Sequence, residues 1–265
     1  MKCFKNILVT FFCGFLLTAC QGEPQNVLKV GTISGPEAQL MTVVKNYAAI
    51  NYGLDIEIVE YPDYSGPNAA LSKGKIDANV FEHMPYLASE IKTKHYDNLV
   101  AVAKTFIYPM AIYSTKIDNI NKIPPNAVIA IPNDPSNEGR ALILLSTAGL
   151  ITLKPNAGYY GTIADIISNP KKLVLEKLDA AQLVAALDNV TAAVINANYA
   201  VAAGLFPGKN ALYIENKSSP YVNLVVIRAD NVTNPKIQQL IAALHSPEVV
   251  NAAQEIFDGG AMPAW

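Results

Sequence analysis

The stretch AVIAIPNDPSNEGRALILL, residues 127–145, holds a strand, a turn and a helix start. Ala127 to Ile131 is a short apolar run bounded on its N-terminal side by the turn Ile123-Pro124-Pro125-Asn126. Asp134 then offers a side-chain oxygen to the first free N–H groups of a helix, and Pro135 suits the first helical position. Ala141 to Leu145 carry the helix on, and Gly149 is placed to stop it. One residue is out of keeping. Arg140 lies within about two turns of the helix start, where unpaired N–H groups and the dipole already supply positive potential. A cation there needs an anion to meet it.

Strand and helix alternate on both sides of this stretch. Val27 to Ile33 reads as a strand, Pro36 to Tyr52 as a helix closed by Gly53, and Asp55 to Tyr61 as a half-buried alternating strand. A helix at Asn68 to Lys73, a buried strand at Ile76 to Val80 and a helix at Pro85 to Lys94 follow. The apolar Leu99 to Tyr113 has room for one or two strands. After residue 126 the pattern restarts. Leu173 to Glu176, Ala193 to Asn196 and Leu212 to Ile214 read as strands, Ala180–Leu187 and Tyr199–Ala203 as helices. Tyr221 to Arg228 returns as a strand, and helices at Pro235–Leu244 and Pro247–Phe257 finish the chain. Two such batches imply an α/β protein with two sheets. The strongly apolar Leu224 to Ile227 points to a strand that rejoins the first batch. Two crossings between lobes would make a hinge with a ligand cleft between them. The expected division is lobe 1 at 27–112 and 221–265, and lobe 2 at 113–220.

The chain has 265 residues, 51% of them hydrophobic, enough for one large core or two modest ones. Lys2 and Lys5 precede the apolar stretch Ile7 to Leu17, which is too short to span a membrane and fits a signal peptide over residues 1–19. Its loss removes Cys3, Cys13 and two lysines, leaving Cys20 as the one cysteine and making the formal net charge of −2 more negative by two. No disulfide and no cysteine-based metal site is then expected, and the acidic balance argues against nucleic acid as a partner. Residues 20–26 read as a short polar tether.

Motifs for bond-breaking chemistry are missing. The histidines are His83, His95 and His245, and the sequence has no G-x-S-x-G, H-E-x-x-H, P-loop or G-x-G-x-x-G pattern. No catalytic residue, metal or cofactor is expected. Residues suited to grasping a small molecule are present instead. Phe81, His83 and Tyr86 fall where a buried strand gives way to a helix, and Tyr64 occupies the same kind of edge. Open α/β sheets place their ligands there. Asn196 and Asn223 could present amides to the same cleft.

In order along the chain, DANVFEHMPYL (77–87), TFIYP (105–109), IPNDPSNEGRALILL (131–145), VINANYA (194–200) and SPYVNL (219–224) resemble successive motifs of the NlpA/MetQ-type methionine-binding lipoproteins. These are substrate-binding components of ATP-driven methionine importers. Leu17-Thr18-Ala19-Cys20 resembles their lipobox, in which the peptide is cut before the cysteine and the cysteine is lipidated. The resemblance implies a two-lobed periplasmic-binding-protein fold, type II-like, with the ligand between the lobes. It also implies a membrane anchor through the Cys20 lipid, placement in the cell envelope (periplasmic in a Gram-negative cell), and an ABC permease with its ATPase as partners.

Carried over by position, Arg140 would bind the ligand carboxylate, with Asn137 one turn before it. Asn196 and Asn223 would hydrogen-bond the amino-acid backbone, and Tyr64, Phe81, His83 and Tyr86 would enclose a methionine side chain. The anion for Arg140 would then be the α-carboxylate of L-methionine, and removing the arginine is expected to abolish binding without loss of stability. Glu82 stands where the family often has glutamine. Strand alternation should turn it away from Phe81 and His83; turned inward, it would put a negative charge beside the ligand. Other readings are the same fold with D-methionine, a methionine-containing dipeptide or another apolar amino acid, an enzyme using His83 as a base with Glu82, or an adhesin.

Cys20→Ser is expected to abolish incorporation of labelled palmitate and release the protein from the membrane fraction. A variant still membrane-bound in high salt without detergent would overturn the anchor.

Overall fold

The computed structural model describes residues 27–216 and 218–265. The signal peptide, Cys20 and the tether lie outside them. The chain begins with β1 (Val27–Ile33), which pairs in parallel with β2 (Asp55–Tyr61) and β3 (Ala78–His83). Helix α1 (Pro36–Tyr52) joins the first two strands. Proline occupies its start, and Gly53 at φ 63° closes it, its N–H directed to the carbonyls of Ala48 and Ala49. A left-handed cap of this kind favours glycine because a Cβ would clash there. Helices α2 (Pro67–Ser72) and α3 (Met84–Lys94) flank β3, and β4 (Leu99–Ile107) ends this first run.

Residues 108–110 cross to a second sheet. It is built from β5 (Ala111–Tyr113), β6 (Val128–Pro132), β9 (Val174–Leu178), β10 (Ala192–Ile195) and β11 (Tyr213–Ile214), in the order β11-β5-β10-β6-β9. Helices α4 (Pro135–Thr147), α5 (Leu183–Ala186), α6 (Ala197–Ala202) and α7 (Pro207–Asn210) accompany it, and β7 (Thr152–Leu153) pairs with β8 (Ile166–Ser168) as a small separate hairpin. The chain then crosses back. Strand β12 (Val222–Arg228) inserts antiparallel between β3 and β4, giving the order β13-β4-β12-β3-β1-β2; α8 (Pro235–Leu244), α9 (Pro247–Ile256) and β13 (Met262–Pro263) complete the chain. The expected lobe boundary after residue 112 falls inside β5, a strand of the second sheet.

Alternate residues of the central strands feed opposite faces, as the period of two requires. Val225 and Ile227 pack with α1, α8 and α9 around Leu40, Val44, Leu240 and Phe257, while Leu224 and Val226 pack with Leu71 of α2 and Leu87 of α3. In the second sheet Ile129, Ile131 and Val194 meet Leu142 and Leu145 of α4, and Ala130, Ala193 and Ile195 meet Leu183 of α5. Each sheet therefore has its own two-sided core. Among the described residues no helix is long and apolar enough to cross a membrane.

Several segments differ from the sequence expectation. Strand β3 runs to His83 rather than Val80, because its pairing with β12 continues to Asn223 opposite His83 and outlasts the apolar run. The expected helix Ala180–Leu187 is a 3₁₀ turn over 180–182 followed by the single turn of α5. The β7–β8 hairpin was not foreseen. Its turn at Gly158–Tyr160 rests on α4 at Gly139, where a Cβ would lie 2.2 Å from the Tyr159 carbonyl oxygen. Tyr160 reaches onward from there and donates to the Pro85 carbonyl of α3 at 2.9 Å.

Candidate functional site

The cleft lies where strands end and helices begin. His83 closes β3 and caps α3, its Nδ1 accepting from the Tyr86 N–H at 3.2 Å. Asp134 caps α4, its side chain accepting from the Asn137 N–H at 3.0 Å, and Asn196 is the N-cap of α6. Tyr64 follows β2, and Asn223 enters at the matching edge of antiparallel β12. All eight residues singled out in the sequence (Tyr64, Phe81, His83, Tyr86, Asn137, Arg140, Asn196 and Asn223) line one cleft. Glu37, Glu82, Tyr108, Ala197 and Asn198 line it with them.

One end of the cleft is aromatic. The rings of Tyr64, Phe81 and Tyr86 stand 5.8–5.9 Å apart, and Tyr199 lies 5.2 Å from Tyr64. Tyr64 also spans the cleft, its hydroxyl donating to Asn198 Oδ1 at 2.7 Å.

The polar end is a directed network. Asn137 Nδ2 donates to Asp134 Oδ2 at 2.9 Å, a carboxylate that can only accept, so Asn137 Oδ1 faces the other way. It takes hydrogen bonds from Asn196 Nδ2 at 3.0 Å and His83 Nε2 at 3.2 Å. Because Nδ1 of His83 accepts from an amide, Nε2 carries the ring proton of the neutral imidazole. Burial first, then the nearby Arg140, pushes the His83 pKa down to about 3 and keeps it neutral. Among the described residues no group of histidine, cysteine and acidic side chains is placed to hold a metal ion.

Arg140 does not wait for an external anion. Its Nε and Nη2 donate to the two oxygens of Glu215 at 3.0 and 2.5 Å, and Nη2 also reaches the Tyr108 carbonyl at 3.0 Å. The guanidinium carbon stands 4.5 Å from the Tyr221 ring centre. Arg140 and Glu215 side chains are only 4% and 11% exposed. The sequence reading missed Glu215, which lies 75 residues away and carries no local signal. Among the described residues Nη1 of Arg140 has no hydrogen-bond partner.

Glu82 lines the cleft with Phe81 and His83, and its carboxyl is held by α2. Its Oε2 accepts from Asn68 Nδ2 of α2 at 2.8 Å, and Asn68 in turn accepts from Asn79 at 2.7 Å. Glu82 bonds to Asn68 and not to His83, which leaves no acid–base dyad. Burial raises its pKa to about 8, against the lowering pull of the Asn68 hydrogen bond and with a smaller push from Glu90. A neutral carboxyl offers one O–H donor and one acceptor, close to the complement of a glutamine amide. The departure from the family pattern is chemically small near neutral pH.

The profile of the NlpA lipoprotein family matches residues 28–265. The chain belongs to the NlpA lipoprotein family. It is 46% identical over 242 residues to the D-methionine-binding lipoprotein MetQ of Escherichia coli O157:H7, covering 91% of this chain and 89% of that protein. A crystal structure of the methionine-binding protein MetQ superposes with TM-score 0.89 at 45% identity, over 91% of this chain and 99% of that one. A nutrient-binding protein of Burkholderia cenocepacia, solved bound to methionine, gives TM-score 0.87 at 44% identity, over 90% and 100% of the two chains. The two-lobed α/β architecture is thus common to this NlpA lipoprotein and its solved relatives.

The internal ion pair reverses one expectation about this family member. Arg140→Ala would strand a buried Glu215 carboxylate, so it is expected to destabilise the ligand-free protein by about 3–5 kcal/mol. Adding Glu215→Ala should recover much of the loss in thermal unfolding; an unchanged melting temperature in the single variant would refute the pair's structural role.

Glu82 yields a pH test. Between the unfolded value near 4.5 and the folded value of about 8, the native chain holds a proton that the unfolded chain has lost. This contribution to stability is full below the lower value and falls as pH rises through the window. Glu82→Gln should therefore match wild type near the acidic end and exceed it by up to a few kcal/mol above pH ~8 in melts across the range.

Proposed function

We propose that this chain is a lipid-anchored substrate-binding protein that closes over one methionine and delivers it to the permease and ATPase of an ABC importer. The observation that carries the reading is the two-ended cleft. The rings of Tyr64, Phe81 and Tyr86 stand together at one end, backed by Tyr199, and Arg140 with asparagine amides stands at the other. The ring box suits an unbranched thioether, since sulfur–aromatic contacts contribute about 0.3–1.5 kcal/mol each. The guanidinium Nη1 suits a carboxylate. Methionine bound to the Burkholderia cenocepacia relative supports the same ligand here; the L form is our proposal.

Closure follows from the groups that bridge the cleft. Tyr64 to Asn198, His83 to Asn137 and Tyr160 to Pro85 each join an element of the first sheet's layer to one of the second's. A ligand touching both sides favours the closed state through its higher affinity for it. Cys20 would hold the protein to the membrane of the cell envelope, on the periplasmic side in a Gram-negative cell, with the tether leading to β1.

Native mass spectrometry of the freshly purified protein should find one methionine per chain. After ligand removal, calorimetry should rank L-methionine above D-methionine, leucine and a methionine-containing dipeptide, with a rise in melting temperature and a smaller radius of gyration in scattering. Tighter binding of the D form or the dipeptide would replace the assigned ligand. Failure to bind any of them would overturn the function.

A further inference from the structure

We propose that Glu37 receives the ligand's α-ammonium, so that the site takes free α-amino acids and rejects ligands whose amino group is acylated or missing. The inference rests on the amino-acid reading above and goes beyond the residues that the sequence singled out.

Glu37 sits in the first turn of α1, just past the end of β1, the same kind of strand-to-helix edge that supplies the rest of the cleft. It is 6% exposed. Its Oε2 has no hydrogen-bond partner, and its Oε1 has one long contact, 3.4 Å from Asn223 Nδ2. Asn223 makes its shorter bond elsewhere, to the Phe81 carbonyl at 3.0 Å. A buried carboxyl left this bare is costly, and such groups are rare unless something arrives to satisfy them.

What arrives must donate. Asn196 Oδ1 is a further unsatisfied acceptor in the cleft, its identity as oxygen following from the chain of bonds that runs from Asp134 through Asn137; Glu82 Oε1 is another, on a carboxyl whose second oxygen Asn68 holds. An ammonium brings three N–H donors and no acceptor. On the donor side, Arg140 Nη1 and Asn198 Nδ2 lack partners and suit the carboxylate of the same zwitterion. Arg140 is already balanced by Glu215, and of the two acids that line the cleft, Glu37 lacks the short hydrogen bond that Asn68 gives Glu82.

Proton balance follows. The other titratable groups around the cleft give Glu37 no compensating charge. Tyr64, Tyr86, Tyr108 and Tyr199 have pKa values raised by burial, Glu82 is raised by burial to about 8, His83 is neutral, Arg140 is paired, and Asp134 is taken up by Ser136 and Asn137. Burial likewise pushes Glu37 well above the usual carboxylate range. An incoming ammonium lowers that value. A neutral carboxyl and an ammonium become an ion pair, and the proton leaves to solvent. Affinity should therefore rise with pH up to the ligand-free pKa of Glu37 and level off above it.

Calorimetry of wild type and Glu37→Gln should use L-methionine, N-acetyl-L-methionine and 4-(methylthio)butanoate, which is methionine without its amino group. Buffers of different ionisation enthalpy read the proton. Glu37→Gln is expected to weaken methionine about 10- to 100-fold, to leave the deaminated analogue unaffected, and to lose the proton release seen in wild type. Its ligand-free melting temperature should not fall, which separates recognition from folding. Equal losses for both ligands, or unchanged methionine affinity, would overturn the role of Glu37 and leave the methionine reading standing. Wild type that binds no free amino acid would overturn that reading itself.

Discussion

The ion pair between Arg140 and Glu215 joins the cleft helix to both crossings between the sheets. Arg140 belongs to the helix that follows β6. Glu215 lies in the return crossing between the sheets, and Tyr108, whose carbonyl shares the guanidinium, lies in the outward one. Glu215 also accepts from the Met110 N–H at 3.1 Å and donates its own N–H to the Met110 carbonyl at 2.9 Å. The two crossings thus run side by side, bonded to each other and to the cation. A buried pair recovers its desolvation cost only when its remaining hydrogen-bonding groups are filled, and here backbone groups fill most of them. The result is less a source of stability than a fixed position: a guanidinium held at the base of the cleft with one nitrogen free.

From that point the polar end has little freedom. Asp134 sets the orientation of Asn137, Asn137 sets that of Asn196, and the amide at Tyr86 sets the tautomer of His83. Each group is a helix cap or lies within a turn of one, so the bonds that start the helices also orient the cleft. The same economy explains Glu82. It lines the cleft with its carboxyl bonded to Asn68 and neutral near pH 7, and it keeps the hydrogen-bonding character of an amide while remaining an acid.

Much of this was legible before any coordinates. The strands Val27–Ile33 and Asp55–Tyr61 and the helices Pro36–Tyr52 and Pro235–Leu244 were read at their observed bounds, because proline starts, a glycine stop and clear periodicity mark them. The β7–β8 hairpin was not, since strands of two and three residues carry no period. Nor was α7 or β13, for the same reason. The reading placed Arg140 in the second turn of its helix and asked for an anion. It looked for that anion outside the chain, and one was inside it at Glu215.

Sequence alone determined which residues would stand at strand ends and helix starts, since capping chemistry and alternation are local properties of the chain. It also carried the order of motifs that marks the family. Tertiary structure decided what those residues face. Glu215 reaches Arg140 across 75 positions, and Glu37 meets Asn223 of β12, a strand that returns from 186 residues further along the chain. Charge pairing and desolvation depend on distance in space, and no local pattern encodes that distance.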